Sequence, residues 1–113
     1  MGKEKDNWGR DPAVHQMRRV FAGMEQIQKT LLDQTGIKPF DSRLRPVRET
    51  ALDLFDKATA LAAGKGIRLT DTAMIGIYAG CLQLAMTNAG IAISQDLLPD
   101  DSTLRELVRE VSR

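Results

Sequence analysis

Few side chains in this sequence could do covalent or metal chemistry, and their spacing argues against it. There is one histidine, His15, and one cysteine, Cys81. A lone cysteine forbids an intrachain disulfide, and a closed zinc site would need carboxylates or several copies of the chain. His15 falls beside Arg18 and Arg19 at helical spacing and reads as a histidine on a helix surface. Cys81 sits between Gly80 and Leu82 in the most apolar stretch, where a thiol is expected to be a small core hydrophobe. Gly64-Lys65-Gly66 shares a lysine between small residues with phosphate loops. Such a loop, however, needs a strand before it and Ser or Thr after the lysine, and here a helical pattern precedes and Gly66 follows. Asp53 with Asp56 and Glu106 with Glu110 could pair for acid–base work, but each has basic neighbours at ion-pairing distance, as on a solvated helix face. With no nucleophile elbow, dinucleotide fingerprint or metal-ligand spacing, the expectation is a non-enzymatic protein with no catalytic, cofactor or metal residues.

Residues suited to binding are easier to find. Arg43, Arg45 and Arg48 fall in the first turns of a helix, where cations oppose the macrodipole. Their placement requires a compensating gain, either ion pairs with Asp41 and Glu49 or an acidic partner. Trp8, beside Arg10 in a polar stretch, is the second oddity. An exposed tryptophan favours contact, either with its own bundle or with a partner. With Arg18 and Arg19, these residues form the candidate partner-binding set.

The elements that position them follow from periodicity. Residues 1–10 alternate charges with Gly2, Asn7 and Gly9 and read as a flexible tail ahead of a single helical domain over 11–113. Asp11 and Pro12 open a first helix with a stripe at Val14, Met17, Phe21, Met24 and Leu31. Gly36 and Pro39 close it near Thr35. Asp41 or Ser42 can cap a second helix with its stripe at Leu44, Val47, Ala51, Leu54, Ala58 and Leu61. The short break from Gly36 to Asp41 predicts that these two helices pack together as an antiparallel hairpin. Thr70 and Asp71 start a third helix of a different kind. From Ala73 to Gln95 no residue is charged, so this helix is expected to be apolar on every side. Its glutamine, threonine, asparagine and glycines make it a weak membrane span. Ala73, Gly76, Gly80, Gln83 and Thr87 share one face, a candidate surface for close packing or dimerisation. Asp100, Asp101 and Ser102, after Pro99, announce a short final helix with core residues Leu104, Leu107, Val108 and Val111.

At 113 residues the chain is the size of one domain. A composition of 42% hydrophobic and 27% charged residues excludes wholesale disorder and fibrous repeats. Sixteen Lys and Arg against fifteen Asp and Glu leave a net charge of +1, so no global field marks a nucleic-acid coat or a membrane-surface binder. The fold class expected is all-α: three main helices and a short fourth, with the hairpin wrapped around the third. Because an all-round apolar helix needs covering on every side, the chain is expected to complete its core as a homodimer. The function expected is that of a cytoplasmic regulatory or adaptor protein acting through helix surfaces on another protein, without membrane insertion. The alternatives are a small nucleic-acid-binding regulator using the arginines and an accessory subunit of an enzyme or of a secretion or transfer complex.

Overall fold

The computed structural model describes residues 12–38, 40–93 and 96–113. It contains α1 (Pro12–Thr35), α2 (Leu44–Gly64), α3 (Asp71–Asn88) and α4 (Ser102–Val111), with no strand among the described residues. The protein is all-helical, and none of its helices is long and apolar enough to cross a membrane, among the described residues. Trp8, Arg10 and the expected cap Asp11 lie outside the described residues.

Helix ends follow the local chemistry in most places. The Thr70 hydroxyl accepts the Ala73 N–H at 3.1 Å at the start of α3, and the Asp101 carboxylate accepts those of Thr103 and Leu104 at 2.9 and 3.1 Å at the start of α4. Gly36, Gly66 and Gly90 take left-handed φ values of 70°, 71° and 77° just beyond α1, α2 and α3, as helix C-termini favour. The start of α2 departs from expectation. Its N-cap is Arg43, with helical backbone angles and no side-chain cap bond. Asp41 instead accepts the Arg43 N–H at 2.9 Å and holds a turn that runs into the helix.

α3 organises the molecule. It is the one helix whose backbone approaches all three others among the described residues, and Ile77 to Leu82, Ala85 and Met86 are buried along it. On one side it packs with Val20, Met24 and Leu31 of α1 and Val47 and Ala51 of α2. On the other, Ile77 and Cys81 pack with Ala58 and Ala62 of α2 and Leu107 and Val108 of α4. α2 approaches α3 through three alanines, Ala51, Ala58 and Ala62, each 0% exposed. α1 approaches through Gly23, where a Cβ would overlap the Ile75 side chain.

One expectation is corrected here. α1 and α2 run in opposite directions, since Arg19 pairs with Asp71 and Gln28 with Tyr78 along α1, whereas Phe55 of α2 meets Tyr78 edge to face and Thr59 shares a groove with Met74. They do not pack as a hairpin: no Cα of one comes within 8 Å of the other. Each gains more by lying on the uniformly apolar α3 than the two would gain from each other. The buried stripe of α1 is consequently narrow, and Met17 and Phe21 remain 56% and 49% exposed.

The face containing Gly76 and Gly80 is occupied from within the chain. A Cβ on Gly80 would stand 3.2 Å from Pro99 Cδ, 3.3 Å from Leu98 Cδ2 and 3.4 Å from Val108 Cγ1. Gln83 accepts the Leu97 N–H. At the ends of this face, Ala73 is partly exposed and Thr87 exposed. The covering that the sequence argument assigned to a second copy therefore comes from residues 97–99 and α4.

Candidate functional site

The arginines do not form one surface. Arg43 lies on the turn between α1 and α2, held by Asp41 through Nη2–Oδ2 at 2.9 Å and Nε–Oδ1 at 3.1 Å. This guanidinium, with its backbone N–H, lowers the Asp41 carboxyl to about 2; the same bond raises Arg43. Arg45 reaches Glu49 at 3.3 Å, but its side chain is 89% and that of Glu49 68% exposed, so water screens the pair. Arg48 turns toward α1. With its amide turned to the orientation that satisfies both neighbours, Gln28 accepts from Arg48 Nε at 2.6 Å and Nη2 at 2.9 Å and donates to the Tyr78 hydroxyl at 3.2 Å. Burial raises the Tyr78 phenol pKa, and the Arg48 charge opposes that shift.

Arg18 and Arg19 lie at the other end of α1. From Arg19 to Thr35 is about 24 Å at the rise of an α-helix, so these two arginines and the α1–α2 turn cannot grip one short stretch of phosphates together. Arg19 is also engaged, its Nε 2.6 Å from Asp71 Oδ2. That bond, with help from Gln16, depresses the Asp71 carboxyl. Arg18 is exposed.

Phe40 is the residue sequence reading missed. It is 97% exposed on the turn that carries Asp41 and Arg43, with exposed Lys38 two residues before it. Its signal in the sequence was its position, a large aromatic between a helix C-terminus and the next helix, outside both apolar stripes. The turn thus carries a bare aromatic ring close in sequence to Lys38, Arg43 and Arg45.

A second feature is the groove left where α1 and α2 fail to meet. It measures about 210 Å³ and is lined by Met17, Val20, Phe21, Phe55 and Met74, with Gln16 and Thr59 at its polar edge. The Gln28–Arg48 contact bridges the two helices further along.

The residues with covalent or metal-binding potential are not among those lining the groove. Cys81 is buried, its thiol pushed up to about 12 by loss of water, which holds it in the unreactive protonated form. His15 is exposed. Lys65 is engaged by Glu110 at 3.0 Å. Among the described residues, no three His, Cys, Asp or Glu side chains gather where they could hold a metal ion. No protein-family model, curated protein or solved structure matches the chain.

Proposed function

We propose that the protein is a non-enzymatic adaptor or regulator that binds an acidic protein partner through the α1–α2 turn. The observation that carries this reading is Phe40, 97% exposed and within five residues in sequence of the cations Lys38, Arg43 and Arg45. A bare aromatic flanked by arginine is the composition of an interface anchor, which gains by burying its ring while the cations select a negative surface. Arg45 is free to exchange its weak, solvent-screened contact with Glu49 for a partner carboxylate. Arg43 is held in place by Asp41 and so offers an oriented guanidinium at little entropic cost.

Pull-down from the native host with the full chain, compared with Phe40→Ala and Arg45→Glu, tests the reading. A partner that contacts the turn is lost in both variants, Phe40→Ala weakening it by about 2 kcal/mol, or roughly thirtyfold, if the ring is an anchor. A partner retained equally by wild type and both variants overturns it.

The same juxtaposition also favours a second reading, because an exposed ring beside arginines can stack on an unpaired base. Retention of a single-stranded oligonucleotide, falling steeply as salt rises, would select that reading. A net charge of +1 and the separation of the two arginine groups weigh against it.

A further inference from the structure

We propose that residues 96–99 and α4 form a displaceable cover, latched by Arg105, that opens as one unit and bares the face of α3 carrying Ile77, Gly80 and Cys81 while α1, α2 and the rest of α3 stay folded. It rests on other residues than the α1–α2 turn, so either reading can fail without the other.

The buried core is in two parts, and α4 belongs to one of them. The first cluster joins α1, α2 and α3 through residues such as Val20, Val47 and Leu82, and its buried members include none from α4. In the second, Leu107 and Val108 of α4 close over Ile77 and Cys81 of α3 and Ala58 and Ala62 of α2. α4 approaches α2 and α3 but not α1 among the described residues. It is 10 residues long, and a helix of that length is marginal in water without packing. Lifting α4 therefore costs the second cluster and leaves the first in place, which is the condition for a local opening that needs less free energy than global unfolding.

The segment before α4 fastens it to α3. Pro99 and Leu98 lie over Gly80, 3.2 and 3.3 Å from where its Cβ would stand, and Leu98 packs on the second cluster. Arg105 fixes this segment from the α4 side: its Nε donates to the Pro99 carbonyl at 3.1 Å and its Nη2 to Asp96 Oδ2 at 2.9 Å. The other Asp96 oxygen accepts the Leu98 N–H at 3.0 Å. One guanidinium and one carboxylate thus set the course of the segment and tie it to α4. From α3 it is held by Gln83, which accepts the Leu97 N–H. The Arg105 bond to Pro99 is partly buried, which gives it weight. A further tether of α4, Lys65 to Glu110 at 3.0 Å, joins exposed side chains and is screened by water.

Cys81 is the only cysteine and lies under the cover, so its reaction with Ellman's reagent in the full chain reports opening. The labelling rate is measured in urea below the unfolding transition and compared with global unfolding followed by circular dichroism. The expected rate rises with urea on a slope well below the global m-value and merges with the global line near the transition. Arg105→Ala should speed labelling in low urea by about tenfold, even though alanine favours the helix. Arg105→Lys, which keeps the charge and gives up the paired bonds, should fall between. Val20→Ala removes packing from the first cluster, which the closed and opened forms share. It should lower the unfolding midpoint and leave low-urea labelling within about twofold of wild type. Three results would overturn the proposal: a labelling slope equal to the global m-value at every urea concentration, acceleration by Val20→Ala as large as its effect on the global unfolding constant, or labelling of Arg105→Ala at the wild-type rate.

Discussion

Single residues show how neighbours, rather than residue type, set behaviour. Gly76 and Gly80 are one turn apart on α3, yet the nearest atom to a Cβ on Gly76 is Pro99 Cγ at 4.0 Å, whereas Gly80 is hemmed in by three side chains within 3.4 Å. Gly76→Ala should therefore stabilise by up to about 1 kcal/mol through helix propensity. Gly80→Leu should destabilise by about 1–3 kcal/mol or more, because it forces apart residues 98–99 and α4. Denaturant titration of both variants checks the pair, and equal effects would refute the packing described at Gly80. Asp41 offers a pH readout. Its carboxyl lies near 2 in the folded protein against 3.8 ordinarily, chiefly through the side-chain bond from Arg43. A depressed carboxyl stabilises the fold above the ordinary value and loses that contribution as pH falls from about 4 toward 2. Arg43→Ala should return the Asp41 carboxyl toward the ordinary range in an NMR titration, and an unchanged midpoint would show that the backbone N–H suffices.

At the level of elements, α4 is the short helix that seals one side of α3, and its formation depends on its cap. Asp101→Ala removes the acceptor for two amides and should cost about 0.5–2 kcal/mol. Since Leu107 and Val108 pack in the cluster that contains Cys81, opening α4 should expose the thiol. Native wild-type protein is expected to react with Ellman's reagent only after denaturant is added, and Asp101→Ala measurably faster without it. Rapid labelling of the native wild type would contradict the burial of Cys81. Helix existence and most helix ends were legible in the sequence, because Thr70, Asp101 and the three left-handed glycines act over one turn of chain. The start of α2 was harder to read, since Asp41 bonds the backbone of Arg43 and spends its capping capacity one step early.

For the whole molecule, the main question is how α3 is covered. The described chain encloses it with α1, α2, α4 and the Leu97–Pro99 segment, which removes the shortage of covering surface that argued for a homodimer. Sedimentation equilibrium at tens of micromolar should accordingly give the monomer mass of 12.5 kDa. Association that Gly80→Leu abolishes would restore the face of Gly76 and Gly80 as an interface between copies.

The sequence by itself determined the four helices and the all-round apolar character of α3. Those features depend on contacts within one or two turns and on composition. The tertiary structure decided which helices meet. Periodicity reports that a stripe is apolar without reporting what it faces, so the stripes of α1 and α2 fit a mutual hairpin as well as two separate seats on α3. Tertiary packing chose the second because Ala51, Ala58, Ala62 and Gly23 allow close approach to α3. That choice left Met17 and Phe21 at the edge of a groove.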